Sequence, residues 1–286
     1  GLLEGRRLKL ASYTNNGQSG FGVVVDGGLV DCTSRGVGQS LKQALSSGAL
    51  EAIRKIADGT ADLPVDDVTL APPIVNPGKV FCVGVNYRKH VLEMGRDLPT
   101  HPWVFTRSAD SFVGHGNAMI RPAVSEQFDF EGELALVIGK PAHRVDAASA
   151  LDYVAGYCCL NDGSIRDFQR HTAQFTPGKN FWRSGAMGPW LVTADEVGDP
   201  AELELETRLN GEVMQSAPTS DLIFDIPRLI EYCSTFARLE PGDVIATGTP
   251  GGVGAARKPP VWLRDGDTIE VSISRIGTLA NPVVDE

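Results

Sequence analysis

Apolar and polar positions alternate in short runs along much of this chain, which favours strands over helices. Near the N-terminus, the runs LKLASYT, FGVVVD and LVDC are separated by NNGQSG and by Gly27-Gly28. A Gly-Gly pair between two apolar runs predicts a two-residue hairpin. Residues 40–57 instead carry leucine and isoleucine at helical spacing, and Gly48 interrupts them. We therefore expect two short helices after the hairpin.

A proline-rich stretch follows at residues 61–79 and contains Pro64, Pro72, Pro73 and Pro77. Such a segment cannot continue a helix and suits an extended connection. We therefore predict two domains. The first is a small α/β unit with its linker at residues 1–74, and the second is a larger unit at residues 75–286.

The second unit continues the strand-rich pattern. Strands are predicted for VFCVGV, for FDFEGELALVIGK at residues 128–140, and for VAGYCCL, whereas Asp146 is a helix N-cap candidate. Asn210-Gly211 predicts a hairpin, Asp225 and Pro227 predict a helix start, and residues 264–284 predict two final strands. The glycines and prolines of residues 176–190 predict a loop.

Charge and composition exclude several classes of protein. The chain has 286 residues and a formal net charge of −10, and it lacks the concentrated basic face that nucleic acid or an anionic membrane requires. No apolar run is long enough to span a membrane, and the N-terminus lacks the apolar region of a signal peptide, so we expect a cytoplasmic protein. The five cysteines form no CxxC motif, which favours buried free thiols.

The predicted strand at residues 128–140 carries two carboxylates that packing does not require. With a period of two, Glu131 and Glu133 project to the same side, about 6–7 Å apart. A metal ion between them would relieve their repulsion, and the alternative is an edge strand with a solvated acidic end. Asp162 follows the next predicted strand, where adjacent strands could bring it to the pair. Arg166 and Gln169 lie on one helical stripe after it and form a polar wall, or else an exposed polar helix behind an N-cap.

A second candidate group lies upstream. His90 and Glu93 share one face of a short predicted helix. A carboxylate beside an imidazole raises its basicity, as a general base requires, but such a pair is also a common surface contact. The nearby Gly95, Pro99 and Pro102 are typical of a mobile cover. Further along, Lys179 lies in a loop, and the loop TPGGVGAA with Thr249 matches no nucleotide-binding spacing but could grip a carboxylate.

Five motifs in order resemble the fumarylacetoacetate hydrolase family: FDFEGELALVIGK, CLNDGSIRDFQ, PGKNF, DVIATGTPGGVG and DGDTIEVSISRIGTLANPV. The resemblance covers residues from about 79 to the C-terminus. It implies an α+β, β-rich fold of the mixed sandwich or roll type, and a homodimer. It also implies Mg²⁺, Mn²⁺ or Ca²⁺ held by Glu131, Glu133 and Asp162. One departure is Ser164-Ile165, where the family usually has Thr-Ala.

The resemblance further implies roles for the other candidates. His90 and Glu93 match a lid pair that activates water, Lys179 is expected to steady negative charge, and Arg166, Gln169 and Thr249 match residues that bind substrate. Tyr87, Arg107 and Trp182 are additional candidates for the pocket wall.

The expected reaction is metal-dependent hydrolysis of a carbon–carbon bond in an acylpyruvate such as fumarylpyruvate or maleylpyruvate, as in the catabolism of aromatic compounds. Two enzymatic alternatives use the same site: decarboxylation of oxaloacetate-like acids, and isomerisation of hydroxymuconate-type dienes. A non-catalytic binding protein with this fold is the third alternative.

Overall fold

The computed structural model describes residues 8–286. The first seven residues of the predicted N-terminal unit lie outside the described residues. The fold is α+β and rich in strands, which confirms the predicted class. Within residues 8–286, no helix has the length and apolarity that crossing a membrane would require.

The strands, in chain order, are β1 (Lys9–Asn15), β2 (Gln18–Val25), β3 (Gly28–Asp31), β4 (Leu63–Pro64), β5 (Thr69–Ala71), β6 (Val80–Gly84), β7 (Trp103–Thr106), β8 (Phe112–Val113), β9 (Met119–Arg121), β10 (Phe128–Asp129), β11 (Gly132–Ile138), β12 (Val154–Asn161), β13 (Ser164–Ile165), β14 (Gly185–Thr193), β15 (Glu204–Leu209), β16 (Glu212–Pro218), β17 (Val244–Ala246), β18 (Thr268–Ile273) and β19 (Gly277–Asp285).

The α-helices are α1 (Leu41–Ser46), α2 (Leu50–Ile56), α3 (Arg88–Glu93), α4 (Arg166–Gln169), α5 (Thr176–Lys179), α6 (Ala194–Val197) and α7 (Ile226–Phe236). Short 3-10 helices occur at Thr33–Arg35, Val65–Asp67, Ala109–Ser111, Ala147–Tyr153, Pro200–Glu202, Thr219–Asp221 and Gly254–Ala256.

One large sheet organises the described residues. It has 12 strands, with the main order β4-β3-β2-β1-β14-β12-β11-β17-β6-β7, while β5 pairs with β1 and β8 with β14. A second sheet of 5 strands has the order β16-β15-β18-β19-β9. Side chains from both sheets meet in one apolar core that includes Leu134, Tyr157, Leu205 and Ile269. Burial of this core is the main stabilising contribution of the layered arrangement.

The turn predictions hold with one adjustment. Asn210 and Gly211 both have positive φ between β15 and β16, as a two-residue hairpin requires. In the β2–β3 hairpin, the turn residues are Asp26 (φ 46) and Gly27 (φ 77), because Gly28 already pairs with Val25. The predicted turn at Gly27-Gly28 is therefore one residue too late.

Helix predictions hold at both ends of the chain. α1 and α2 are separate helices on either side of Gly48, and the Ser40 side chain caps α1 by accepting a hydrogen bond from the Gln43 backbone N–H at 3.1 Å. Asp225 caps α7 in the same way through Arg228. Asp146 precedes a 3-10 helix, but its side chain makes no capping hydrogen bond.

The loop predicted at residues 176–190 is wrong in its second half. β14 begins at Gly185 and pairs with both β1 and β12, in the middle of the large sheet. Its glycines permit close packing: a Cβ at Gly185 would lie 2.7 Å from an Arg107 guanidinium nitrogen. Glycine in a strand marks such close approaches as well as turns, and the composition could not separate the two cases. The first half contains the short helix α5.

The large sheet contains strands from both sides of the predicted domain boundary near residue 75. β1 pairs with β14, so the N-terminal strands extend the sheet that contains β11 and β12. Leu10, Phe21 and Ile53 also pack in one cluster with Val137 and Leu160. All five cysteines are free and buried, as predicted.

Candidate active site

Antiparallel pairing brings the three predicted acids together. Gly132 at the start of β11 faces Asn161 at the end of β12, so the residues around these two positions share one edge. The predicted strand is broken there, because β10 ends at Asp129 and β11 begins at Gly132. Ligand oxygens of Glu131, Glu133 and Asp162 lie within 4.8 Å of one another.

Of these three acids, Glu133 has the fewest hydrogen-bond donors and cations around its carboxylate. Its side chain is buried, and its Oε2 atom has no hydrogen-bond partner in the described part of the chain. Burial raises the pKa of the Glu133 carboxyl well above its usual value, and the charges of Asp162 and Glu131 act in the same direction. A buried carboxylate oxygen without a partner requires a cation or a proton.

Lys179 holds the other two acids. Its buried ammonium donates to Glu131 Oε1 at 3.0 Å, to Asp162 Oδ2 at 3.0 Å and to Ser164 Oγ at 2.7 Å. Burial disfavours its charge, but Asp162 and Glu131 outweigh that effect and raise the pKa of Lys179. Ser164, one of the two residues that depart from the family pattern, thus supplies a hydroxyl that the lysine uses.

Arg166 forms the polar wall expected on its helix. Its guanidinium donates to Asp129 Oδ2 at 2.9 Å, to Glu131 Oε2 at 2.8 Å and to Gln169 Oε1 at 3.0 Å. Asp129 also accepts from the backbone N–H groups of Gly254 (2.8 Å) and Ala255 (2.9 Å). Asp129 therefore ties the glycine-rich loop to the arginine.

A cavity of about 310 Å³ opens above these groups, a size suited to a small ligand. Six of the predicted residues line it: His90, Glu131, Arg166, Gln169, Lys179 and Thr249. Apolar side chains, among them Val83, Phe105 and Phe175, complete the wall. The structure thus gathers residues from segments far apart in the sequence around one space.

The lid pair is only partly assembled. His90 lines the cavity and packs on the glycine-rich loop, where a Cβ at Gly251 would lie 3.0 Å from His90 Nδ1. Glu93 is exposed, and its Oε1 atom lies 4.0 Å from Lys89 Nζ. No hydrogen bond joins Glu93 to His90 within residues 8–286. Burial lowers the pKa of His90, and the Glu93 charge opposes this effect.

Three residues predicted for the pocket wall do not line this cavity. Arg107 is buried behind Asp162, donates to its Oδ1 at 2.7 Å and to Ser184 Oγ at 2.9 Å, and does not line the cavity. Its geometry is that of a group that holds Asp162 in place. Tyr87 is buried and lines a neighbouring space of about 350 Å³ on the other side of His90. Trp182 is exposed on the surface, where Arg183 covers its ring.

Two supporting residues, Gln215 and Asp129, were not predicted from the sequence. Thr249 donates to the Gly132 carbonyl at 2.8 Å and accepts from Gln215 Nε2 at 2.8 Å, so Gln215 fixes its hydroxyl. Gln215 also accepts from the Gly132 N–H at 2.9 Å. Asp129 had a visible signal, since it is an acid two positions before Glu131, whereas Gln215 had none.

The three acids fit a divalent cation. They offer only oxygen atoms, which suits hard cations, and Glu133 Oε2 is an acceptor for which the surrounding chain provides no donor. The oxygens of Glu131 and Asp162 already accept from Lys179, Arg166 and Arg107. A carboxylate oxygen has a second lone pair, so those contacts leave room for a metal.

Comparisons with known proteins identify the family of this chain. The family model described as fumarylacetoacetate (FAA) hydrolase C-terminal matches residues 79–284. The oxaloacetate tautomerase YisK of Bacillus subtilis (strain 168) is 43% identical over 91% of this chain and 87% of its own length.

Two solved structures show the range of chemistry on this fold. One is the 5-carboxymethyl-2-hydroxymuconate delta-isomerase from Mycobacterium smegmatis, with a TM-score of 0.79 and 35% identity over 98% of this chain and 99% of that one. The other is the maleylpyruvate hydrolase from Sphingobium sp. SYK-6 with manganese(II) and pyruvate, with a TM-score of 0.82 and 31% identity over 97% of this chain and 99% of that one. Similar folds therefore carry isomerase and hydrolase activities.

Proposed function

Because the chain belongs to the fumarylacetoacetate hydrolase family, we propose that it is a metal-dependent enzyme that interconverts the keto and enol forms of a small 2-oxo acid, with oxaloacetate as substrate. The observation that carries the proposal is the cluster of three carboxylates, in which the buried Glu133 Oε2 has no hydrogen-bond partner in the described chain, beside a small cavity that His90 also lines. The similarity to the tautomerase YisK supports the choice of reaction.

Glu131, Glu133 and Asp162 would hold the metal, for which Mg²⁺ or Mn²⁺ is the expected ion and Ca²⁺ an alternative. When bound, the metal supplies Lewis-acid stabilisation of negative charge on the substrate's carboxylate and keto oxygens. Lys179 keeps its proton, because its carboxylate neighbours raise its pKa, and it adds a fixed positive charge to the inner end of the cavity. Arg107 and Arg166 orient the acids.

His90 is the proposed proton carrier. Burial lowers its pKa, so the imidazole is neutral near pH 7 and can accept a proton from the carbon next to the keto group. The imidazolium then gives that proton to the enolate oxygen to form the enol, and the reverse steps regenerate the keto acid and the neutral imidazole. No water attacks in this reaction, and it needs no hydrogen bond between His90 and Glu93.

Acylpyruvate hydrolysis, the reaction expected from the sequence, is the second candidate. The family is established, and within it the YisK comparison favours tautomerisation over cleavage of a carbon–carbon bond. The observation in favour of hydrolysis is the similarity to maleylpyruvate hydrolase over 97% of this chain. Hydrolysis would require Glu93 to turn from Lys89 towards His90 and orient it as a base.

Product analysis distinguishes the candidates. Purified protein with Mg²⁺ or Mn²⁺ is mixed with the enol form of oxaloacetate, whose decay is followed by ultraviolet absorbance, and in parallel with fumarylpyruvate, whose products are followed by NMR. We expect enol decay faster than in an enzyme-free control with the same metal, and EDTA should remove this acceleration. We expect no release of CO₂ beyond that control and no cleavage of fumarylpyruvate. Cleavage into pyruvate and fumarate without any tautomerase activity would establish the hydrolase instead.

The homodimer implied by the family resemblance stays a prediction. Light scattering coupled to size-exclusion chromatography tests it directly, and a monomeric mass at assay concentrations would contradict it.

A further inference from the structure

At the inner end of the cavity, every cationic side chain of the described residues is already paired with an acid. Arg107 pairs with Asp162, Arg166 pairs with Asp129 and Glu131, and Lys179 bridges Glu131 and Asp162. Glu133 adds a further buried acid. A divalent cation at the triad would offset this acidic excess and bind one substrate carboxylate with its keto oxygen. A second carboxylate on the same substrate would need cations elsewhere in the cavity wall.

Two arginines without partners meet that requirement. Arg96 and Arg170 both line the cavity, and both are exposed residues. Across residues 8–286, neither guanidinium has an ion pair or hydrogen bond, and the bonds they make run from their backbone N–H groups. An arginine fork that faces no acid of its own can bind a carboxylate through two parallel hydrogen bonds.

The backbone places these arginines on two separate elements. The Arg170 N–H donates to the Arg166 carbonyl at 3.1 Å, so Arg170 continues the helix that carries Arg166 and Gln169. The Arg96 N–H donates to the Val91 carbonyl at 3.2 Å, which fixes Arg96 just beyond α3, the helix of His90. The two arginines therefore line the same cavity from two directions, Arg170 from the site wall and Arg96 from the predicted lid.

We infer that Arg96 and Arg170 form a second carboxylate site in the outer part of the cavity, and that the enzyme selects 2-oxo dicarboxylates over 2-oxo monocarboxylates of equal length. The inference rests on the proposed function and deepens it. The substrate's first carboxylate and keto oxygen face the acid triad, and its distal carboxylate lies between the two arginines. Arg96 then links the bound substrate to the segment that follows α3.

Matched ligand pairs test this inference through binding. Isothermal titration of the Mg²⁺-loaded full chain compares 2-oxoglutarate with 2-oxopentanoate, and oxaloacetate with 2-oxobutanoate. In each pair, only the distal carboxylate differs. We expect the wild type to bind the preferred dicarboxylate at least about 10-fold more tightly than its partner. That ratio should fall as salt rises, because the contacts are exposed to solvent.

The variants assign the effect to the arginines. Arg96→Gln and Arg170→Gln should each reduce the ratio several-fold, and the double variant should bring it close to one, while the Kd of the monocarboxylates stays the same. Arg264→Gln, which changes an exposed arginine outside the cavity, should keep the wild-type ratio. Arg170→Lys should retain part of it, since the charge remains without the fork.

The outcomes separate the inference from the proposed function. Equal affinity for both members of both pairs, or a ratio that survives the double variant, would overturn the second carboxylate site and leave the keto-acid function standing. Binding of none of the four acids would overturn the proposed function and the inference together.

Discussion

At the scale of single residues, Glu133 is the group whose surroundings most require a metal. Glu131 and Asp162 each accept hydrogen bonds from buried cations, whereas Glu133 Oε2 accepts none in the described chain. Glu133→Gln keeps the shape and removes the charge. We expect Mn²⁺ affinity, measured by titration calorimetry, to fall at least about 100-fold, because even weaker outer partners of metal ligands cost 10–100-fold.

The metal-free protein gives an independent check on Glu133. Because glutamine carries no charge into the interior, Glu133→Gln should unfold in EDTA at the same temperature as the wild type or higher. Glu126→Gln, at an exposed position, is the matched control and should change neither property. A less stable apo protein with unchanged Mn²⁺ affinity would make Glu133 a structural acid and contradict the metal assignment.

His90 predicts the pH dependence of catalysis. Burial lowers its pKa below the ordinary 6.5, so the basic form persists in mildly acidic solution. The plot of kcat/KM against pH should have an acid limb below pH 6.5, and His90→Gln should lose about 10²–10⁴-fold in kcat/KM, as expected for a general base.

Glu93 also determines the direction in which the pKa of His90 shifts when its charge is removed. The Glu93 carboxylate favours the imidazolium and so raises the pKa of His90. Glu93→Gln should therefore move the acid limb to lower pH, and Asp97→Asn, at an exposed position of the same segment, should leave it in place. A limb that moves to higher pH in Glu93→Gln would show that another group titrates.

The sequence predicts the charged residues of the site better than the residues that hold them in place through hydrogen bonds. Glu131, Glu133 and Asp162 come together because β11 and β12 pair, and Lys179 reaches Glu131 and Asp162 from α5. Gln215 belongs to a hairpin in the other sheet and reaches Thr249 only when both sheets pack. No local pattern encodes that contact. Arg107 was expected at the substrate, but whether an arginine faces a cavity or an acid depends on tertiary packing.

At the scale of elements, Asp129 joins three parts of the site. It accepts hydrogen bonds from Arg166 on α4 and from two N–H groups of the 3-10 helix Gly254–Ala256, and it lies on β10. Asp129→Asn removes the charge that faces the buried guanidinium. We expect the free energy of unfolding in urea to fall by about 2–3 kcal/mol, less than for a fully uncompensated charge because Glu131 still pairs with Arg166.

A solvent-exposed pair provides the control for Asp129. Asp285 pairs with Arg121 at 2.7 Å, and its side chain is 50% exposed. Asp285→Asn should cost less than about 1 kcal/mol, because solvent screens such pairs. If both substitutions cost the same, the buried contacts of Asp129 do not contribute as the geometry indicates.

Elements with a clear local pattern of apolar and turn residues were predicted well. Strands that depend on pairing with distant strands were not. The helix pair interrupted at Gly48 and the Asn210-Gly211 hairpin follow from local chemistry. Residues 185–190 of β14 were predicted as part of a loop, because Gly185, Gly188 and Pro189 are ordinary loop signals. They are tolerated there because β14 packs closely against Arg107 and neighbouring strands, which is a property of the assembled sheet.

At the scale of the whole molecule, the large sheet joins the predicted domains. Lys9 and Leu10 of β1 pair with Val192 and Leu191 of β14. The prolines of residues 61–79 predicted a linker, and in the structure this segment contributes β4 and β5 to the large sheet. A linker pattern does not tell whether the parts it connects fold separately, because that depends on which surfaces they bury against each other.

Deleting residues 1–74 would test the predicted boundary. The deletion uncovers one edge of β14 and removes Leu10, Phe21 and Ile53 from a cluster shared with Val137 and Leu160. An unpaired central strand beside an exposed apolar surface favours aggregation. We expect the 75–286 chain to aggregate in size-exclusion chromatography and to lack a cooperative thermal transition. A full chain cut at a protease site inserted at Asp58–Gly59 should stay assembled, whereas a folded 75–286 fragment that binds Mn²⁺ would make residue 75 a true domain boundary.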